Sequence, residues 1–209
     1  MIKHILLDLD DTIYSVRWGL EEEFRKRLRV FTSEWVGLPW TECEPVWREA
    51  MKRYGTTLEW LSVEKGLTDI DDYFARMHPE DEADTLPPDP ELRRFLESLP
   101  CPCSILTNSP LFHAERIIKK LELEGIFQKV FSIETNLFQG KPHASAFFHS
   151  LDALGLKVED ALFIDDIPRY VKGFLDIGGR GILLDEMGNH KNYPHECIKD
   201  LRELTRFLD

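Results

Sequence analysis

Two short apolar runs, Ile5-Leu6-Leu7 and Leu162-Phe163-Ile164, each stop on a cluster of carboxylates: Asp8 and Asp10 after the first, Asp165 and Asp166 after the second. Runs this short do not make helices, and their unbroken apolarity suits strands of a parallel sheet covered on both faces. Ligands of open α/β sheets collect outside the carboxyl ends of such strands. A carboxylate there can act as nucleophile or metal ligand, and a second one two residues on can reach a leaving group. The pattern therefore fixes a sheet edge and suits phosphoryl transfer.

Three further runs read as strands: Ser104 to Thr107, Lys129 to Ile133 and Gly181 to Leu184, with the first and fourth strands spanning Ile5 to Leu9 and Ala161 to Ile164. Between them lie amphipathic stretches, with Ala114, Ile117, Ile118 and Leu121 on one face and Ala146, Phe147, Leu151 and Leu154 on another. Strand and helix alternating over residues 100–185 predict right-handed βαβ crossovers. The expected fold class is α/β, a Rossmann-like parallel sheet with an inserted all-helical cap. Helical spacing without strands fills residues 16–88, as in Leu20, Phe24, Leu28 and Phe31, and Pro87 and Pro88 mark the return. The expected division is a core of residues 1–15 and 89–209 and a helical cap of residues 16–88. Glu196 to Leu208 is expected to form a final helix on the sheet.

A formal charge of −12 repels polyanions, so nucleic-acid polymers and anionic membranes are excluded as partners, while a small phosphorylated substrate is not. The four cysteines, Cys43, Cys101, Cys103 and Cys197, form neither a zinc pattern nor a dense disulfide framework and are read as reduced thiols. No stretch reaches ~18 consecutive apolar residues, and acidic residues interrupt the amino-terminal run, so the expected location is cytoplasmic. The expected assembly is a monomer or homodimer.

Two other pieces share the sheet edge. Ser104-Ile-Leu-Thr107-Asn108-Ser109 is a strand ending on a hydroxyl, and Gly140-Lys141-Pro142 holds a cation at a helix start. With Asp8-Leu-Asp10-Asp11-Thr12 and the Asp165-Asp166 pair, these four pieces occur in the order found in the haloacid dehalogenase superfamily, which the chain resembles over nearly its whole length. The resemblance implies a phosphatase. It makes Asp8 the nucleophile and Asp10 the acid and base, with Thr107, Asn108 and Lys141 on the phosphoryl oxygens. Thr12 would orient the turn, and Mg²⁺ would be held by Asp8, the Asp10 carbonyl and a carboxylate of the Asp165-Asp166 pair; the resemblance favours Asp166 as the direct ligand and Asp165 as the water-mediated one, and the sequence leaves the choice between them open. Lys141 is expected to face the ion across a phosphate-sized gap.

Asp11 occupies a variable position of the first motif and is expected to cap its turn. His113, His143 and His149 are read as satisfied or solvated histidines outside the site. The helical insert resembles the first cap class of the superfamily. Tyr14, Asn108, the Tyr54-Gly55-Thr56-Thr57-Leu58 stretch and Pro88-Asp89-Pro90-Glu91-Leu92 resemble the subgroup with pyrimidine 5′-nucleotidases. The implied substrate is a nucleoside 5′-monophosphate. The alternatives are a sugar phosphate or phosphoglycolate, and a silent binding protein of the same fold. A dehalogenase protonates no alkoxide and has no use for an acid at Asp10.

Overall fold

The computed structural model describes residues 1–208. β1 (His4–Leu7), β2 (Cys103–Leu106), β3 (Val130–Phe131), β4 (Ala161–Asp165), β5 (Arg180–Leu184) and β6 (Cys197–Ile198) form one parallel sheet in the order β3-β2-β1-β4-β5-β6. β1 is central, with Leu7 opposite Ile105 of β2 and Ile164 of β4. The strand order reverses beside β1, so the ends of β1, β2 and β4 open on one crevice.

Alternation along each strand divides the core between two faces. Ile5, Leu7, Ile105, Leu162 and Ile164 pack against α5 (Pro90–Glu97), α6 (Leu111–Lys120) and the carboxy-terminal segment. Leu6, Leu106, Phe131 and Phe163 face α7 (Ala144–Leu154) and α8 (Pro168–Asp176). There Phe147, Phe163 and Phe174 stand 5.2 to 5.4 Å apart, ring to ring, in tilted and edge-on arrangements.

Between β1 and α5 the chain forms α1 (Leu20–Val36), α2 (Trp40–Ala50), α3 (Thr57–Lys65) and α4 (Ile70–Met77). Thr56 caps α3 by accepting from the Glu59 N–H, and Asp69 caps α4 by accepting from the Asp72 N–H. Their buried faces make a core of their own from Leu28, Phe31, Trp60, Leu61, Tyr73 and Met77, which Ile133 joins from the sheet side. Lys52 and Arg53, in the turn that follows α2, pair with Glu49 and Glu64 on the outer surface.

The carboxy terminus departs from expectation. Residues 196–208 are not one helix: Cys197 and Ile198 add a sixth strand, bonded through Leu183 N–H to Glu196 O and Asp185 N–H to Ile198 O. A 3₁₀ helix follows at Leu201–Phe207, capped by Asp200. The spacing of Leu201, Leu204 and Leu208 is helical in either case, whereas an edge strand of two residues has no periodicity to read. The first strand is also shorter than Ile5 to Leu9, because Thr12 and Ile13 donate to the Leu9 carbonyl and turn the chain there. β3 is similarly reduced to two residues. No helix among the described residues is long and apolar enough to cross a membrane.

Candidate active site

The Asp8 N–H still bonds to the Ile164 carbonyl at 2.9 Å, so the last rung of the β1–β4 ladder fixes the first carboxylate. Asp165 closes β4 beside it. Lys141 reaches both, its Nζ 2.6 Å from Asp8 Oδ1 and 2.6 Å from Asp165 Oδ2, with all three side chains buried. The ammonium lies 5.4 and 5.2 Å from the ring centres of Phe163 and Tyr170. This corrects one expectation: Lys141 does not stand across a gap but takes the two carboxylates directly, since a buried ammonium needs acceptors and these are within reach.

Asp166 is half-buried and lines the cavity, while Asp165 is tied to Lys141 and to the Ile167 N–H. Asp8, Asp165 and Asp166 can each bring an oxygen within 4.8 Å of the others. Burial, and then the charges of Asp165 and Asp8, push Asp166 up to about 9. Burial and Asp165 likewise raise Asp8 well above the usual carboxylate range despite Lys141. Three carboxylates against one ammonium leave negative charge in excess, and an all-oxygen donor set is what a hard divalent cation takes. The residues fit Mg²⁺, with Asp8 and Asp166 the two whose carboxylates line the cavity.

Asn108 acts on Lys141 through the backbone. Its Oδ1 accepts the Lys141 N–H at 2.8 Å, and its Nδ2 donates to the Lys141 carbonyl at 3.0 Å. Gly140 permits this clamp, because a Cβ there would collide with the Asn108 side chain. Thr107 Oγ1 accepts from the Ser109 N–H, ordering the loop after β2. Thr12 contributes its N–H to the turn at Leu9, while its buried hydroxyl has no partner. Asp11 does not cap: its φ is 52°, its Oδ1 is buried without a partner, and burial followed by Glu21 raises it to about 7.

Asp10 occupies a different setting. Tyr14 OH donates to Oδ1 at 2.6 Å, Ser109 Oγ to Oδ2 at 2.6 Å, and His113 Nε2 lies 2.7 Å from Oδ1. Behind it, His113 Nδ1 is 2.6 Å from Glu82 Oε1, which also accepts from Arg116 at 2.6 Å. Glu82 Oε2 meets His78 Nδ1 at 3.0 Å. Both nitrogens of His113 face carboxylates, which only accept, so the ring is an imidazolium. Burial lowers its pKa, but Asp10 and Glu82 together outweigh burial and raise it to about 10. Burial likewise raises Asp10, yet His113, Ser109 and Tyr14 together bring it below the usual carboxylate range.

His113 is therefore inside the site, not outside it. The legible signal was its place on the apolar stripe of α6, one residue before Ala114 and four before Ile117, where a satisfied histidine must have partners. Ser109 and Tyr14 lay within motifs already singled out. Glu82, from the irregular return segment between α4 and α5, had no signal at all. His143 is satisfied by Glu59 at 2.8 Å, and His149 is exposed, as expected of both.

The cavity of about 560 Å³ extends from Asp8 and Asp10 to Phe24, Leu28, Trp40, Trp47 and Tyr73 of the helical block. Among the aromatic residues of the helical block, Trp60 is fully buried and Trp18 and Trp35 are exposed, while Phe24, Trp40 and Trp47 stand on the cavity wall. Arg169 of α8 ties the two regions, donating to the carbonyls of Met51 and Gly55. Gly55 is needed for that close approach, since a Cβ would fall 2.8 Å from the Gly140 carbonyl oxygen.

The chain is 24% identical over 229 aligned positions to a protein of Mycobacterium tuberculosis named as a phosphatase, covering all of this chain and 97% of that one. Its fold is similar to that of L-2-haloacid dehalogenase from Xanthobacter autotrophicus, with a TM-score of 0.64 at 18% identity and full coverage of both chains. It is similar also to a magnesium-bound haloacid dehalogenase-type hydrolase of Bacillus subtilis, with a TM-score of 0.61 at 19% identity over 100% of this chain and 99% of that one. The family profile of haloacid dehalogenase-like hydrolases matches residues 2–178. The chain thus belongs to the haloacid dehalogenase-like hydrolases.

Proposed function

We propose that the protein is a Mg²⁺-dependent phosphatase of small phosphate monoesters, working through an aspartyl phosphate on Asp8. The observation that carries this reading is Asp10: a second carboxylate lining the same cavity as Asp8 and held by three side-chain donors. A halide leaves carbon as a stable anion, so a carbon–halogen displacement has no use for an acid on its leaving group. The phosphatase name of the mycobacterial relative supports the same reading.

In the first half-reaction an Asp8 oxygen attacks phosphorus, the bond to the leaving oxygen breaks, and a proton from Asp10 passes to that oxygen. Asp10 rests as a carboxylate, so the proton it passes on enters with the substrate, as the monoanion of the phosphate ester, and the like charge of that phosphate favours its uptake by Asp10. In the second half-reaction water attacks phosphorus, Asp10 takes its proton, phosphate leaves, and Asp8 is regenerated. Lys141, oriented by Asn108, neutralises charge on the phosphoryl oxygens as they pass through the transition state. Asp8, the Asp10 carbonyl and Asp166 would hold Mg²⁺, which when bound supplies further neutralisation there. The magnesium-bound relative of the same fold supports that cofactor.

Residues 16–88 serve in this reading as a cap that closes the cavity and contacts the leaving group. The wall of Phe24, Trp40 and Trp47 favours an alcohol carrying a flat ring, and a nucleoside 5′-monophosphate meets that need. The test is kcat/KM across nucleoside monophosphates, sugar phosphates and phosphoglycolate, with Mg²⁺ and with chelator. Metal-dependent hydrolysis favouring pyrimidine nucleotides is expected. A flat profile across bases removes the nucleotidase and keeps the phosphatase; no hydrolysis of any monoester, with a partner protein bound instead, removes the enzyme.

A further inference from the structure

The group of His78, Glu82, His113 and Arg116, in which the two histidines are buried, lies outside the four motifs. Its ligand-type atoms are close enough for a metal, but each of the three acid and imidazole groups is already spent on another, and Arg116 adds a cation to Glu82. What the group does offer is direction. His113 is 2% exposed, lies 4.3 Å centre to centre from His78 with the rings tilted at 44°, and spends both ring nitrogens on carboxylates, so the imidazole cannot rotate without breaking two short bonds.

We propose that His113, itself fixed by Glu82, is a positioning residue that holds the Asp10 carboxylate at the angle needed for proton transfer to the leaving oxygen. This rests on the reading of Asp10 as the proton donor. Tyr14 and His113 share Oδ1, while Ser109 holds Oδ2 from the loop after β2, so the carboxylate is gripped on both oxygens. Tyr14 and Ser109 hydroxyls rotate; the imidazole is the rigid member of the three. Glu82 comes from the return segment between α4 and α5, so the alignment of Asp10 depends on the helical block being seated. Arg116 anchors that segment on α6 by donating to the Pro79 carbonyl at 3.0 Å as well as to Glu82.

A merely structural role would lower turnover of all substrates alike. A positioning role makes the loss depend on the leaving group, because a nitrophenolate departs without a proton and an alkoxide does not. The experiment measures kcat/KM of wild type, His113→Ala, His113→Gln, Glu82→Gln and Asp10→Asn on p-nitrophenyl phosphate and on an alkyl phosphate, with melting temperatures. General acids contribute about 10²–10⁴-fold, so His113→Ala is expected to lose about 30-fold or more on the alkyl substrate and under about threefold on the aryl one. His113→Gln, whose amide can still donate toward Asp10, recovers part of the alkyl activity. Glu82→Gln keeps the volume and gives the same selective loss, smaller in size, and it decides the matter should His113→Ala fail to fold. Equal losses on both substrates, or wild-type ratios in the His113 and Glu82 variants while Asp10→Asn is selectively impaired, overturn the positioning role alone. A wild type inert to both esters overturns the phosphatase reading and this inference with it.

Discussion

Asp8 and Asp10 sit two residues apart on one loop in opposite electrostatic surroundings. Asp8 shares its space with Asp165 and Asp166 and with one ammonium, so its charge is in excess and its pKa is raised by burial and by its like-charged neighbour. Asp10 shares its space with donors, and an imidazolium and two hydroxyls together overcome burial to stabilise its charge. The difference separates the work. In the proposed reaction the crowded side takes the cation and presents the nucleophile, while the donor-rich side accepts a proton from water. Spacing in sequence is the same for any Asp-x-Asp, so the division comes from what the rest of the chain brings to each residue.

The largest effect expected is the loss of either carboxylate. Asp8→Asn should abolish turnover, by ~10⁴-fold or more, since the nucleophile has no substitute. Asp10→Asn should cost about 10²–10⁴-fold while leaving Mg²⁺ binding intact, because the backbone carbonyl is retained and only proton transfer is lost. Calorimetric titration with Mg²⁺ beside steady-state rates separates the two. Comparable metal affinity loss in both variants would erase the contrast between the sides.

Next is Lys141→Met. Removing the ammonium leaves two buried carboxylates without their cation, a class of change that costs about 3–5 kcal/mol. For a chain of this size the melting temperature should fall on the order of 10 °C. Mg²⁺ should restore part of that loss, whereas activity should stay low because no cation faces the phosphoryl oxygens. A melting temperature unchanged in chelator would show that Lys141 is not what balances this side.

Much of this contrast was legible before any coordinates. The strand-tip carboxylates, Thr107 and Lys141 each sit where an apolar run or a Gly-Lys-Pro turn ends, and the βαβ rhythm brings those ends to one edge. The crowded side is therefore built wholly from motif residues. The donor-rich side is not, because two of its members act from secondary positions: His113 interrupts an apolar helix stripe, and Glu82 lies in an irregular segment about thirty residues from its partner. Neither residue type nor periodicity links them, and only the seating of the return segment on α6 does. The two-residue β6 went unread for a related reason, since an edge strand is defined by its neighbour and not by its own pattern.

The two sides should also separate in their response to pH. On the crowded side Asp166 is raised to about 9 from an unfolded value near ~4, so the folded protein binds extra protons across that window and stability falls as pH rises through it. Asp8 and Asp165 act in the same direction. On the donor-rich side, Glu82 is lowered to about 2 and Asp10 lies below its usual range, so their contribution is present above ~4 and lost as pH falls further. His113, raised to about 10, contributes below ~6.5 and loses that contribution as pH rises through about 10. Melting temperature against pH in chelator should therefore fall toward both ends. Mg²⁺ at about a hundred times its Kd adds roughly 2.7 kcal/mol, and should flatten the alkaline limb while leaving the acid limb unchanged. Asp166→Asn should lose that metal response; His113→Gln should keep it.

The smallest effect belongs to the far wall of the cavity, which touches neither carboxylate. Trp40 lies 5.7 Å ring to ring from Trp47, with Arg29 stacked over it at 5.9 Å, and it lines the cavity from the start of α2. A ring that contacts the leaving group equally in ground and transition states contributes uniform binding, so Trp40→Ala should raise KM and leave kcat within about twofold. An aromatic contact of ~0.5–1.5 kcal/mol predicts an increase in KM of about two- to twelvefold for a nucleoside monophosphate. A small alkyl phosphate, too short to reach α2, should show no change. Were kcat to fall instead, with KM unmoved, the wall would be acting through the seating of the helical block, and the separation between binding side and chemical side would run through Glu82 rather than along the cavity.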